Sequence, residues 1–199
     1  MDTRRRLPAE ERKKQILRCA AEVFARSNYS KAKVADIAAQ AGISEAMVYK
    51  HFPSKKDIFI EVLQHMSERT VLLLQEEVTR EPDALKAMKN MATTYYNMVV
   101  DHADEVKVHF QAISEICDND IAERLHQDQD DYMRFIRDLV DNGVRQGSFR
   151  EDLDVDSLVL LLDGVGVFMN LMKLLSFEEQ FTEQTVARMV DHLIDYMRA

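Results

Sequence analysis

Glu45, Met47 and Lys50 lie within one short segment, and their side chains can bind the edges of DNA bases. A glutamate accepts a hydrogen bond from cytosine N4, a lysine donates to guanine, and a methionine contacts the thymine methyl group. The surrounding sequence, AGISEAMVYKHFPSKKDIF at residues 41–59, adds a tyrosine and further lysines that can contact phosphate. These residue types predict a nucleic-acid contact, provided that one helix presents them on an exposed face. For Glu45 the alternative is that its carboxylate only stabilises its own helix start.

A second group, His102, Glu105 and His109, has the i, i+3, i+7 spacing that can gather metal ligands on one helix face. It lacks the i, i+4 histidine pair of zinc proteases, and His102 falls at an expected helix end. We expect no metal and no cofactor, and we keep a metal-sensing site at these residues as an alternative. The sequence has no Gly-rich phosphate loop, Cys-x-x-Cys pair or nucleophile-elbow serine, so we do not expect an enzyme.

The segment that holds Glu45 is predicted to be the second helix of a helix-turn-helix. A short helix at 34–40 precedes it, and Gly42 can take the positive φ that a tight turn needs. Ser44 is a suitable N-cap for a helix at 45–52. Ile43, Val48 and Phe52 are predicted to face the preceding helix, and the outer face then carries Glu45, Ala46, Met47, Tyr49 and Lys50.

The whole chain is predicted to be all-α, because 5 glycines and 3 prolines in 199 residues leave little room for frequent turns. Apolar periodicity predicts helices at 10–27, 34–40, 45–52, 54–81, 82–102, 103–117, 120–145, 155–176 and 182–197. We expect an N-terminal three-helix DNA-binding domain at residues 1–54, joined to a larger helical effector-binding and dimerisation domain at 55–199.

The charge distribution supports two modules. Residues 1–57 hold 13 Lys or Arg against 7 Asp or Glu, whereas the remainder holds 13 against 28, and together these give the net charge of −9. A basic first quarter in an acidic chain is typical of a module that faces a polyanion. A solvated charged helix is the alternative explanation.

We expect a cytoplasmic protein with no membrane segment. The first residues have no apolar core of the signal-peptide kind. Cys19 and Cys117 lie in apolar-periodic runs and are predicted to be buried thiols of a reducing compartment. The most apolar stretch, 158–175, carries Asp163, Asn170 and Lys173, so it is predicted to be a buried helix rather than a membrane span.

The run VADIAAQAGISEAMVYKHFPSKKDIF resembles the DNA-binding signature of the TetR family of bacterial transcriptional regulators. It matches the Ile-Ala pair, the Ala-Gly-hydrophobic-Ser turn and the Tyr-x-x-Phe-x-x-Lys segment. The upstream CAAEVFARSNYS is similar to that family's first helix, and NGVRQGSFREDLD is similar to its link into the dimerisation helices. The resemblance implies a ligand-responsive regulator, in most cases a repressor, that binds a double-stranded DNA operator as a homodimer.

The resemblance also implies roles for single residues. Tyr49 and Lys55 would hold the DNA backbone together with Lys33 and His51, and the N-terminal arginines Arg4, Arg5 and Arg6 could reach phosphate or the minor groove. Three departures from the family pattern stand out. Lys33 replaces a capping threonine, and Asn28 stands where glycine is usual. The start of the recognition helix, commonly small and Gly-containing, is Glu45-Ala46-Met47 here. The complete set of expected DNA-binding residues is Lys33, Ser44, Glu45, Ala46, Met47, Tyr49, Lys50, His51 and Lys55.

The acidic module is expected to hold a small, lipophilic effector and to dimerise through its last two helices. Nine of the 11 methionines follow residue 57, and thioether and aromatic side chains adapt to irregular apolar shapes. An ordinary apolar core is the alternative. Leu161 and Phe168 belong to the stripe expected at the dimer interface. The expected ligand-binding residues are Tyr95, Met98, Phe110, Tyr132, Phe135, Phe168 and Met169. A helical module that binds acidic proteins through its basic head is a further alternative.

Overall fold

The structure is a computed structural model, and it describes residues 8–177 and 179–198. Within these residues the chain forms helices and a single isolated bridge between Phe149 and Arg198, so the all-α prediction is confirmed. The helices are α1 (Ala9–Ser27), α2 (Val34–Ala41), α3 (Glu45–His51), α4 (Lys55–Arg80), α5 (Ala84–Asp101), α6 (Ala103–Ser114), α7 (Asn119–Arg145), α8 (Val155–Leu174) and α9 (Glu183–Met197).

The chain divides into two compact units. Unit 1 contains the chain up to Met66 together with Lys107–Leu125, and unit 2 contains Ser67–Val106 and His126–Ala199. This division differs from the predicted boundary between residues 54 and 55. The reason is that the first part of α4 fills the core of unit 1, where Ile58 and Phe59 are fully buried.

Unit 1 is built around the aromatic side chain of Phe24, which is fully buried. The Phe59 ring meets it edge-on, with ring centroids 5.1 Å apart. The α6 segment contributes Val108 and Ala112 to the same core, both at 0% exposure. Gln111 fixes this segment by accepting a hydrogen bond from the Tyr29 N–H at 3.0 Å and donating to the Phe24 carbonyl at 3.0 Å.

Unit 2 buries apolar residues of α5, α7, α8 and α9 around one core, which includes Leu139, Leu158, Val190 and Ile194. In the last turn of α7, Gly143 lies against the buried ring of Phe149.

The helix α8 is less buried than its composition predicts. Among the described residues it is the one helix long and apolar enough to cross a membrane, with a mean hydropathy of 1.7, yet only 22% of that window is buried. The prediction of a buried helix is therefore wrong within a single chain. Large apolar side chains lie exposed at Leu160, Leu161, Val167, Phe168, Leu171, Leu174, Leu175 and Phe177.

Candidate nucleic-acid interface and ligand cavity

The turn before α3 has the geometry that its sequence predicts. Gly42 has φ 64° and ψ 34°, the left-handed conformation, and Ile43 donates its N–H to the Ala38 carbonyl at 3.0 Å. The Ser44 hydroxyl then caps α3 by accepting a hydrogen bond from the Met47 N–H at 3.3 Å. These bonds fix the direction in which α3 leaves α2.

The helix α3 has one buried and one exposed face. Val48 is fully buried, and so is Phe52 directly after the helix. Tyr49 is 50% exposed and Met47 is 38% exposed, although both lie next to Val48 in the sequence. Successive helical residues are about 100° apart, so a helix locked at Val48 turns its neighbours outward. The inward set predicted for this helix is confirmed, with Ile43 half-buried against the same core.

The exposed face of α3 carries groups without protein partners. Glu45, Ala46 and Lys50 are exposed, and the side chains of Glu45 and Lys50 form no hydrogen bond or ion pair with a described residue. His51 is half-buried at the end of the helix. The exposed side chains can contact a binding partner, whereas the buried Val48 and Phe52, which pack α3 against the core, cannot.

Lys33 lies at the start of α2 and is exposed. Its side chain has no acceptor and cannot cap the helix. Asp36 supplies only the reciprocal half of a capping box, in which its carboxylate accepts a hydrogen bond from the Lys33 N–H at 3.3 Å. The Lys33 ammonium remains at the surface, where a phosphate contact is open to it. The expected contacts of Arg4, Arg5 and Arg6 lie outside the described residues.

Lys55 is placed differently from the other predicted DNA-binding residues. Its ammonium donates to the carbonyls of Tyr29 at 2.7 Å, Ala32 at 3.1 Å and Ser30 at 3.3 Å, and it lies 4.6 Å from the centroid of the Tyr29 ring. A lysine has three N–H donors, so this arrangement uses all of them. The contact of Lys55 with a DNA backbone stays a prediction, and this conformation has no donor left for it.

Unit 2 contains a narrow cavity of about 60 Å³. Three methionines, Met88, Met91 and Met169, line it together with other apolar residues, and the lining comes from α4, α5, α7, α8 and α9. Two phenols, Tyr95 and Tyr132, supply its polar groups, and no lining residue is charged. The cavity is therefore shaped for an apolar ligand with one polar part.

Both phenols in the cavity are half-buried, and both are uncharged at neutral pH. Burial raises the pKa of Tyr95 to about 12, although its hydrogen bond with Asn170 acts in the opposite direction. Burial also raises the pKa of Tyr132, and the negative charge of Asp163 raises the pKa of both. Asn170 donates to the Tyr95 hydroxyl oxygen at 2.8 Å, which leaves the Tyr95 hydroxyl hydrogen free to donate.

The structure brings together three of the residues expected to bind ligand, Tyr95, Tyr132 and Met169, which all line the cavity. Phe135 is buried in the same core but does not line it. Three others are placed elsewhere. Phe110 belongs to unit 1, Met98 contacts the Thr70 hydroxyl at 3.5 Å, and Phe168 is 44% exposed. Phe168 points outward because it is one helical residue, about 100°, away from the buried Met169.

The structure contradicts the metal-sensing alternative and the predicted burial of Cys117. No group of three His, Cys, Asp or Glu side chains within residues 8–177 and 179–198 could hold a metal ion. His102 lies 3.9 Å from Glu105, whose carboxylate instead pairs with Arg69, so the metal-sensing alternative at His102, Glu105 and His109 loses its site. Cys19 is buried as predicted, but Cys117 is exposed, because α6 ends at Ser114 and Cys117 lies in the turn that follows.

Asn170, which holds the hydroxyl of the cavity residue Tyr95, was missed by sequence reasoning. A signal was present, since Asp163 and Asn170 interrupt the most apolar stretch of the chain at i, i+7 spacing, which places them on one helix face. The partner of Asn170, Tyr95, is 75 residues away in sequence, and only the fold reveals the pairing.

One unit holds an exposed helix that a tight turn locks onto its partner, and the other unit is helical and holds an apolar cavity. This combination defines a helix-turn-helix DNA-binding protein with a ligand-binding domain. Residues 16–62 match the family "Bacterial regulatory proteins, tetR family", and residues 81–170 match "Tetracyclin repressor-like, C-terminal domain". The chain belongs to the TetR family of transcriptional regulators. Members of this family are regulators, not enzymes.

Among curated relatives, the chain is 22% identical over 142 residues to the "Fatty acid metabolism regulator protein" of Bacillus subtilis, covering 71% of this chain and 72% of that protein. It is 26% identical over 145 residues to the "HTH-type transcriptional repressor KstR2" of Rhodococcus jostii, covering 73% of this chain and 71% of that protein. Among solved structures, the regulator FadR from Bacillus subtilis in complex with stearoyl-CoA has the same fold, with a TM-score of 0.75 and 17% identity over 92% of this chain and 95% of that one.

Proposed function

We propose that this protein is a transcriptional repressor that binds its operator through the exposed face of α3 and leaves it when a lipophilic effector occupies the cavity of unit 2. The observation that carries the DNA-binding part is the contrast within α3, where Val48 is fully buried and Tyr49 is 50% exposed. A helix held in this way can enter the major groove without losing its own packing. We propose a cytoplasmic location, as expected for a regulator of transcription.

The proposed contacts divide into base readout and backbone positioning. Glu45, Met47 and Lys50 read base edges, because they are exposed on one face and have the hydrogen-bonding or apolar groups that the major groove requires. Tyr49 and Lys33 position the backbone. Ser44, Ala46 and His51 border the same face and complete the proposed set. For Lys55 we propose a different role, in which its ammonium holds the loop between α1 and α2.

We propose a homodimer that buries the exposed apolar face of α8. Eight large apolar side chains are exposed between Leu160 and Phe177, and soluble monomers rarely leave such a continuous apolar surface in water. A second copy of α8 would cover this face, and the unit 1 of each protomer would bind one half-site. Two-fold symmetry then requires paired half-sites about 34 Å apart, or a multiple of that distance.

The effector is proposed to be lipophilic because the cavity is lined by apolar residues and three methionines. Similarity to a fatty acid regulator of Bacillus subtilis supports this class: the relative is named a fatty acid metabolism regulator protein, and the structure of FadR from that organism was solved with stearoyl-CoA. Release follows from a population shift between two arrangements of the dimer. A complete reversal from bound to released requires the effector to prefer one state by about 5.5 kcal/mol, and partial release requires less.

Selection of bound duplexes from a random pool tests the DNA-binding part of the proposal. We expect a motif with two inverted half-sites spaced by one helical turn or a multiple of it. The variant Lys50→Ala is expected to weaken binding to the recovered duplex, whereas Lys86→Ala, an exposed lysine of unit 2, serves as the matched control. Failure of the wild-type chain to enrich any motif would contradict the proposal.

A further inference from the structure

The cavity of unit 2 has a polar end, formed where α8 faces two phenols. Asn170 donates to the Tyr95 hydroxyl oxygen at 2.8 Å, and Gly166 lies beside both rings. A methyl group built on Gly166 would be 3.7 Å from the Tyr132 hydroxyl and 3.7 Å from the Tyr95 ring. The absence of a side chain at Gly166 therefore keeps space open next to both hydroxyl groups. The Tyr132 hydroxyl has no hydrogen-bond partner among residues 8–177 and 179–198.

Asp163 lies on α8, one helical turn before the cavity residue Gly166. It precedes Gly166 and Asn170 by three and seven residues, and this spacing places all three on one face of α8. Its carboxylate is half-buried and forms no ion pair with any residue that the structure describes. Its charge acts on both phenols, since it contributes to the raised pKa of each. A half-buried carboxylate therefore lies on the same helix face as Gly166 and Asn170, and no lysine, arginine or histidine lines the cavity to balance its charge.

We propose that this cavity selects an apolar molecule with an uncharged hydrogen-bonding end, an alcohol or an ester, and that Asp163 excludes the same molecule as a free carboxylate. This inference rests on the proposed function and specifies the effector class. An alcohol or ester oxygen accepts a hydrogen bond from a neutral phenol at little desolvation cost. A carboxylate loses its hydration, meets a second negative charge, and finds no cation in return.

Three probes with one common chain test the inference: decanol, methyl decanoate and decanoate. Isothermal titration of the full-length protein at neutral pH, where decanoate is ionised, gives the three dissociation constants. We expect decanol and methyl decanoate to bind tighter than decanoate by about tenfold or more, since repulsion by one nearby charge at an effective dielectric constant near 20 is sufficient for a factor of that size.

Substitution of the charged residue separates electrostatics from shape. Asp163→Asn keeps the size of the side chain and removes its charge, so decanoate is expected to gain about tenfold in affinity while decanol changes little. Asp156→Asn is the matched control, because Asp156 lies on the same helix but pairs with Arg137 at the surface. This control is expected to leave the affinity ratio of the probes unchanged.

Two results would overturn the inference: equal binding of decanol and decanoate by the wild-type protein, or an unchanged ratio in Asp163→Asn. Failure of all three probes to bind would overturn it as well. None of these results affects the selection of an operator from random duplexes, which reads the exposed face of α3. Conversely, if no operator is recovered, the ratio of the dissociation constants of decanol and decanoate still measures the polarity of the cavity. A failure of the DNA-binding proposal is therefore distinguishable from a failure of the ligand proposal.

Discussion

Removal of the Lys55 ammonium is expected to destabilise unit 1 without changing the electrostatics of DNA binding. In the variant Lys55→Met, the carbonyls of Tyr29, Ser30 and Ala32 lose their donor, and the contact of the ammonium with the Tyr29 ring is also lost. A hydrogen bond from a charged donor contributes about 1.5–3 kcal/mol, and a cation–π contact about 0.5–1 kcal/mol.

The expected loss of stability is smaller than the sum of these contributions. The side chain of Lys55 is half-exposed and Ser30 is exposed, so water replaces part of the lost hydrogen bonding. We expect a net loss of about 2–3 kcal/mol in the free energy of unfolding. For a protein of this size, that corresponds to a decrease of roughly 5–10 °C in Tm.

Two assays on the same preparation distinguish this role from a phosphate contact. Thermal unfolding followed by circular dichroism measures Tm, and titration of an operator duplex at several salt concentrations measures the dependence of log K on log salt. Loss of one phosphate contact flattens that slope by about 0.9. The exposed Lys50 offers a control, since Lys50→Met is expected to change stability by less than about 0.5 kcal/mol. A wild-type Tm in Lys55→Met together with a flatter slope would refute the structural role and support the backbone contact.

Three further predictions concern substitutions at Gly166, at Gly143 and at Asn28. Gly166→Leu places a side chain between the phenols of Tyr95 and Tyr132, so we expect operator binding to persist and effector-induced release to be lost; release at wild-type effector concentrations would be evidence against the cavity. Gly143→Ala puts a methyl group 2.3 Å from the buried Phe149 ring, so we expect it to lower the free energy of unfolding, measured by urea titration, by about 1–3 kcal/mol. The control Gly164→Ala adds a methyl group that meets nothing within 4 Å, and we expect it to leave the free energy of unfolding unchanged or to raise it. Asn28 has φ 63° and ψ 154°, a region that glycine adopts with little strain, so Asn28→Gly is expected to raise stability by about 1 kcal/mol, and a lower Tm would contradict this.

The helices were predictable from the sequence because their signals are local. Apolar spacing and capping residues at Ser44 and Gly42 determine where α3 begins and how it is joined to α2, and these interactions extend over fewer than ten residues. The ends of α3 and of α8 differ from the prediction by one and two residues respectively. The outward and inward faces of α3 follow from the same helical period.

The ligand cavity was less predictable because its residues come from five helices. Composition pointed to methionine and aromatic residues, and three methionines and two tyrosines line the cavity, but composition could not separate Met169, which is buried, from Phe168, which is exposed. Long-range contacts decide such cases, as they do for Lys55, whose partners precede it by 23–26 residues. The sequence identified Lys55 as a cation beside the reading helix, and only the fold reveals where its donors point.

The central claim is that the exposed face of α3 reads base edges, and a change of specificity tests it most directly. Lysine prefers guanine in the major groove, whereas glutamine pairs with adenine through two hydrogen bonds. Selection from the same random pool is therefore made in parallel with the wild-type protein and Lys50→Gln. We predict that one position in each half-site changes from guanine to adenine and that the half-site spacing is unchanged. Recovery of the wild-type motif by Lys50→Gln with undiminished affinity would contradict the claim.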